Sequence, residues 1–187
     1  MIENNLWKTE SEEFEALSTL SNISRYNTRF RIKNESVAAH SFYVTWFVAN
    51  ICSSLGLSHE TTRLAMEAAL VHDIPEVYIN DITYDCKQLI PEISEVIAPH
   101  EQIIIGKLAP EASDILFSPA TTEEELINAI VRYADVVSVK QYALSEMKLG
   151  NASFASIYEG ACKRLEEVGA QLSEILSQFK EEEKTCL

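Results

Sequence analysis

Between Ser36 and Gly56 the chain reads VAAHSFYVTWFVANICSSL, a segment that is apolar on almost every side of a helix. A helix of that kind belongs at the centre of a domain, because it keeps no continuous polar stripe for water. Ser36 is placed to cap its start, and Gly56 to end it in the left-handed C-terminal position. The rest of the chain is punctuated in the same way. Ser11 precedes a helix with Phe14, Leu17 and Leu20 on one side, and Ser58 precedes HETTRLAMEAALVHD, with Pro75 soon after. Pro91 and Glu92 open EISEVIAPHEQIIIGKL, which Pro99 interrupts or ends; Pro110 to Pro119 reads as a connection. Thr121 or Thr122 caps EEELINAIVRYADVVSVKQYALSEMKLG, closed by Gly150. Ile157, Ala161, Leu165, Val168, Leu172, Ile175 and Phe179 then recur at intervals of three or four, one apolar stripe on a last helix. RYNTRFRIK reads as a loop, and IPEVYINDITYDCK is the least regular stretch. With only 5 Gly and 5 Pro, a turn-rich β fold is a poor fit. These patterns predict an all-α fold of about six or more helices in a single domain. Its core covers about residues 11–179, and residues 180–187 form a frayed acidic tail.

Charge narrows the partners. The chain carries 29 acids against 15 Lys and Arg, a formal net charge of −14. Such a surface repels nucleic-acid polymers and anionic membranes. One segment runs against the trend: Arg25, Arg29, Arg31 and Lys33 lie close together with no acid among them, a place for a small anion. No apolar run approaches the ~18 residues of a membrane span, and MIENNLWKTESEEF lacks the basic and apolar parts of a signal peptide. The cytoplasm is the expected location. Cys52, Cys86, Cys162 and Cys186 form no C-x-x-C pair, so neither a disulfide framework nor a thiolate zinc site is expected. Cys52 and Cys162 fall in helical apolar patterns and read as buried, inert thiols.

Three features carry chemistry: His40, one turn into the apolar helix; the doublet His72-Asp73 in ALVHDIPEV; and Asp135 within AIVRYADVVSV. An isolated buried carboxylate costs several kcal/mol, so Asp135 among Val, Ile and Ala is paired, protonated or bound to a cation. Taken singly, Asp135 also fits an exposed residue, and each His a satisfied core side chain. His59 and His100 lie beside charged residues near helix ends and read as surface groups. Imidazole and carboxylate donors together suit Mn, Co, Fe, Ni or Zn. Four such ligands leave room in an octahedral shell for water and a phosphate oxygen. There is no H-E-x-x-H, P-loop, G-x-G-x-x-G or G-x-S-x-G motif to suggest another chemistry.

In this order, His40, His72-Asp73 and Asp135 resemble the H…HD…D signature of the HD-domain superfamily of metal phosphohydrolases. The match runs from about Leu17 to Gln178 and is most similar to the bacterial HD-domain 5′-deoxyribonucleotidases. RYNTRFRIKNESVAAHS resembles the segment leading to that family's metal His. HDIPEVYINDITYDCK resembles its His-Asp-x-x-Glu-Val-x-x-x-Asp run ending in Lys, and YADVVSVKQYALSEMKLGN resembles its last ligand helix with the Gly-Asn ending. The resemblance implies one divalent ion (Co, Mn, Fe, Ni, Zn or Mg) held by His40, His72, Asp73 and Asp135. It implies that Arg25, helped by Lys87, grips the phosphate, and that Tyr26 stands beside sugar and base where the family is expected to have Trp. Glu76 would contact the attacking water or the leaving oxygen, and Asp81 would serve proton transfer or hold the sugar.

The implied activity is removal of the 5′-phosphate from deoxyribonucleoside monophosphates by a homodimer, with no nucleic-acid polymer or membrane as partner. A related HD enzyme cleaving deoxynucleoside triphosphates uses the same metal site and differs in room and cations for further phosphates. A non-catalytic nucleotide-binding protein of the same fold would be marked by a broken ligand set, and here all four residues are present.

Overall fold

The computed structural model describes residues 12–185. The helices in chain order are α1 (Glu12–Thr19), α2 (Val37–Leu55), α3 (His59–Val71), α4 (Glu76–Ile79), α5 (Tyr84–Leu89), α6 (Glu92–Leu108), α7 (Pro110–Phe117), α8 (Thr122–Lys148) and α9 (Ala155–Thr185). A short 3-10 turn, Ala152–Phe154, joins the last two. Among the described residues there is no strand, only one isolated antiparallel bridge between Ser24 and Ser36. The fold is a single helical domain of the expected all-α class.

Local chemistry sets most helix ends where the punctuation places them. Ser36 Oγ accepts from Ala39 N at the start of α2, and Gly56 closes that helix with φ 70°, its N–H directed to the carbonyls of Cys52 and Ser53. Ser58 caps α3 through Thr61 N. Thr121 caps α8 in a reciprocal box, taking Glu124 N while the Glu124 carboxylate takes Thr121 N. Ser11, the expected cap of α1, lies outside the described residues.

Four expectations are corrected. Residues 110–117 form α7, because Pro110 sits at the start of the helix, where its missing N–H has no intrahelical role. Pro99 lies inside α6 without ending it. The tail expected to fray continues α9 to Thr185. The helix α2 is not enclosed on all sides. Its buried stripe is Val37, His40, Ser41, Val44, Val48 and Cys52, while Phe42 and Trp46 on the other side are 62% and 61% exposed.

The main core joins α2, α3, α7 and α8 through Val44, Val48, Ala65, Ala68, Ile115, Leu126, Ile127 and Ile130. Each large aliphatic side chain buried here contributes roughly 1.5–3 kcal/mol. The helix α9 lies along α8 in the most extensive helix pairing of the domain, with Ala161 and Val168 against Val136. A third cluster, Tyr142, Ala143 and Phe154 with Tyr26 packed on it, ties the basic loop to the end of α8. Cys52 is buried as expected and Cys162 half-buried, while His59 and His100 are exposed. No helix among the described residues is long and apolar enough to cross a membrane.

Candidate active site

The central helices α2 and α8 and the end of α3 converge on His40. Its place in the buried stripe of α2, at the 3.6-residue spacing that holds Val37 and Val44, leaves the imidazole with no exposure at all. Its Nε2 lies 3.1 Å from Asp135 Oδ1 of α8 and 3.5 Å from Asp73 Oδ2. The imidazoles of His40 and His72 lie 5.5 Å apart, centroid to centroid. Asp73 Oδ2 is 3.3 Å from His72 Nε2. One donor atom each from His40, His72 and Asp73 can be chosen so that all three lie within 4.8 Å of one another. Asp135 adjoins this trio through His40 and is not among the mutually close donors.

The donors fit a metal ion by their chemistry. His72 Nδ1 lies 2.6 Å from the Ala69 carbonyl. A carbonyl only accepts, so Nδ1 carries a proton, and it is Nε2 whose lone pair the neutral ring offers to a metal. The Nε2 atoms of both His40 and His72 are buried and make no hydrogen bond. Buried polar atoms are almost always partnered, and two bare imidazole nitrogens beside a carboxylate suit a divalent cation. Burial first, and Arg25 second, lower the pKa of His40, which keeps it neutral as a ligand has to be. Burial acts to raise the pKa of Asp135, but its contact with His40 and the permanent charge of Arg25 hold it well below the usual carboxylate range.

The doublet stands just beyond α3, not within a helix. His72 is the C-cap residue, and the chain tightens through three-residue turns, Glu76 N to Asp73 O at 3.1 Å and Val77 N to Ile74 O at 3.0 Å. Residues 72 and 76 therefore do not share an α-helical face. Pro75, whose ring cannot follow a regular α-helical turn, sits in this tightened segment. The Glu76 side chain nevertheless turns inward: its Oε2 is buried without a partner. Burial, then the charges of Asp73 and Asp81, push Glu76 up to about 9, only partly offset by Arg25 and Lys87.

The loop before α2 supplies the cationic side. Arg25 is largely buried; its Nη1 donates to His40 Nδ1 and lies 3.6 Å from Glu35 Oε2. Tyr26 adopts φ 56°, and its N–H donates to Asp81 Oδ2 at 3.1 Å, fastening this loop to the segment before α5. The Tyr26 ring stacks on Tyr142 at 5.1 Å and meets Phe154 edge-on, while the Arg25 guanidinium stands 5.6 Å from the Tyr26 centroid. Lys87, in the last turn of α5, lies near Glu76, Asp81 and Glu101. The structure thus gathers His40, His72, Asp73, Asp135, Arg25, Tyr26, Glu76, Asp81 and Lys87 in one region.

Five contributors were not foreseen. Glu35 faces Arg25, and burial pushes its carboxyl up to about 7. Ser138 Oγ lies 3.1 Å from His40 Nδ1. Glu101 reaches the neighbourhood of Lys87 and Asp73 from α6. Glu146, fully buried, accepts from the N–H groups of Ile32 (2.8 Å) and Lys33 (2.7 Å) and from Asn151 Nδ2 (2.7 Å). Tyr142 OH donates to the Lys33 carbonyl. The Glu146 signal was available in the sequence: a Glu at the apolar end of α8 needs fixed donors, just as Asp135 needs a cation.

Comparison with known proteins agrees with this geometry. Residues 13–182 match the 5′-deoxynucleotidase YfbR-like family. A 5′-deoxynucleotidase of Pectobacterium atrosepticum is 30% identical over 157 residues, 78% of this chain and 77% of that protein. A dATP triphosphohydrolase of cyanophage S-2L is 27% identical over 146 residues, 74% of this chain and 82% of that one. Among solved structures, an HD-domain phosphohydrolase of Listeria innocua superposes with a TM-score of 0.63 at 23% identity, covering 91% of this chain and 85% of that one. The cyanophage S-2L HD phosphohydrolase bound to dA and one catalytic Zn²⁺ ion gives a TM-score of 0.61 at 20% identity, covering 90% and 98%. The ordered H…HD…D residues, their convergence on one buried centre and the match over nearly the whole chain place this protein in the 5′-deoxynucleotidase YfbR-like family of HD-domain phosphohydrolases, metal-dependent hydrolases of phosphate esters.

Proposed function

We propose that this enzyme removes the 5′-phosphate from deoxyribonucleoside 5′-monophosphates, with one divalent metal ion as cofactor. The observation that carries the proposal is the pair of buried, unpartnered Nε2 atoms of His40 and His72 beside Asp73, with Arg25 held against the same centre. His40, His72, Asp73 and Asp135 would hold the metal. When bound, a divalent cation supplies Lewis-acid polarisation of a phosphate oxygen and acidifies water at the site. Zinc, the ion named with the cyanophage relative, is one candidate, and manganese, cobalt, iron, nickel and magnesium are others.

The protein's own groups do the rest. Arg25 presents fixed N–H donors to the phosphate, and Lys87 adds a second charge where negative charge collects on the equatorial oxygens. Glu76, buried and facing Asp73 and Asp81, is placed to hold a proton for the departing 5′-oxygen. Asp81 holds the Tyr26 backbone and so orients the loop that carries Arg25. Tyr26 is stacked on Tyr142 with the Arg25 guanidinium over its ring, so it acts as a buttress for the arginine as well as a wall beside the nucleoside.

The balance of charge favours a monophosphate. Arg25 and Lys87 have Asp81 beside them, and Lys87 has Glu101 as well, and those carboxylates would oppose a longer polyphosphate. Hydrolysis of deoxynucleoside triphosphates is the second reading, favoured by the 27% identical dATP triphosphohydrolase. Homodimer formation is part of the proposal, supported by the exposed Phe42 and Trp46 on α2 and Met66 and Leu70 on α3, each an i, i+4 pair. Phosphate release from deoxynucleoside mono- and triphosphates, each with Mn²⁺, Co²⁺ or Zn²⁺, tests the proposal. Orthophosphate from monophosphates is expected, and triphosphate or pyrophosphate release alone would replace the first reading by the second.

A further inference from the structure

A single turn of α8 addresses both nitrogens of the His40 ring. Asp135 Oδ1 lies 3.1 Å from Nε2, and Ser138, three residues on and therefore on the same helical face, lies with its Oγ 3.1 Å from Nδ1. Ser138 is 2% exposed and His40 fully buried, so bulk water does not reach the contact between them. Arg25 Nη1 also reaches Nδ1. These two neighbours make opposite demands. A guanidinium only donates, so with Arg25 as the partner Nδ1 has to be bare and the proton sits on Nε2. That proton would sit on the nitrogen that lies 3.1 Å from Asp135 Oδ1 and that a metal ion needs as a ligand. A hydroxyl can accept, so with Ser138 as the partner the proton sits on Nδ1, and Nε2 turns a lone pair toward His72 and Asp73.

We propose that Ser138 is a positioning residue for the metal: its Oγ accepts the Nδ1–H of His40 and so keeps Nε2 free as a ligand. The proposal rests on the reading of His40 as a metal ligand. It gives His40 the arrangement that His72 already has, where Ala69 O accepts Nδ1–H. Outer partners of this kind fix the tautomer and the ring orientation of ligating histidines. With Nδ1 protonated, Arg25 is no longer received at His40 and is free to turn to Glu35 or to a substrate anion.

The test is metal affinity of chelator-stripped full-length protein, measured with Zn²⁺ and Mn²⁺ against a chromophoric competitor, alongside the thermal midpoint of the metal-free form. Ser138→Ala is expected to weaken both metals by roughly 10–100-fold, and Ser138→Thr, which keeps the acceptor, to stay within about threefold of the parent. A merely structural role would lower the midpoint and leave the dissociation constant in place. Wild-type affinity in Ser138→Ala overturns the proposal. Should that variant fail to fold, Ser138→Cys, similar in size but a weak acceptor, takes its place, with the same loss expected and wild-type affinity again decisive. His40→Ala separates the two readings: retained metal there removes His40 as a ligand, whatever Ser138 does.

Discussion

Replacing Glu76 by Gln in metal-free protein gives a stability difference whose sign depends on pH. In the folded chain burial, reinforced by Asp73 and Asp81, pushes the carboxyl from 4.5 up to about 9. Below the ordinary carboxyl value both folded and unfolded chains hold this proton, and the site contributes no slope. Between that value and about 9 the unfolded chain has lost the proton while the folded chain keeps it, so stability falls as pH rises. The limiting slope is about 1.4 kcal/mol per pH unit. Two and a half pH units separate 4.5 from neutrality, which sets a ceiling of about 3.5 kcal/mol; partial solvent access reduces this to on the order of 1–2 kcal/mol. Gln keeps the shape of the protonated acid and cannot titrate. The variant is therefore expected to match the parent near pH 4.5 and to exceed its stability by that amount at pH 7. Urea unfolding of both proteins in chelator, from pH 5 to 8.5, measures the difference. A difference that stays flat across this range would refute the burial argument for Glu76. With metal restored, the same substitution should lower kcat by roughly 10²–10⁴-fold if Glu76 donates the proton, and leave metal content unchanged.

Asp73→Ala is expected to lose most bound metal, read by elemental analysis, because Asp73 lies within 3.5 Å of the Nε2 atoms of both His40 and His72. Arg25→Ala leaves Glu35, 5% exposed, without its cation and should cost about 3 kcal/mol in urea unfolding as well as impairing kcat/KM. Adding Glu35→Gln should recover stability but not kcat/KM, and recovery of both would make Arg25 purely structural. Glu146→Ala strands two backbone N–H groups and Asn151, so we expect a loss of roughly 2–4 kcal/mol and a raised KM, since the loop it anchors leads back to Arg25. Unchanged stability would contradict that role.

Much of the architecture was legible because it is local. The caps at Ser36, Ser58 and Thr121 and the stop at Gly56 depend on neighbours within a few residues, and the stripe of α9 depends only on the 3.6-residue period. His40, His72-Asp73 and Asp135 stood out because polar residues in apolar helices require partners. The errors were also local in cause. A proline at the first turn of a helix looks the same in sequence as a proline in a connection, so α7 was missed. Hydrophobic residues on both sides of α2 do not say which side another helix will cover.

What only the tertiary structure decided is the identity of partners far apart in the chain. Ser138 meets His40 from 98 residues away, and Glu146 meets Lys33 from 113. A serine or glutamate on a helix carries no mark of what stands opposite it. That is set by how α2, α8 and the loop before α2 pack, and the packing is a balance of burial over the whole core. The sequence by itself determined which residues could not be left in an apolar interior alone; packing determined that Ser138, Arg25 and Glu35 stand beside them.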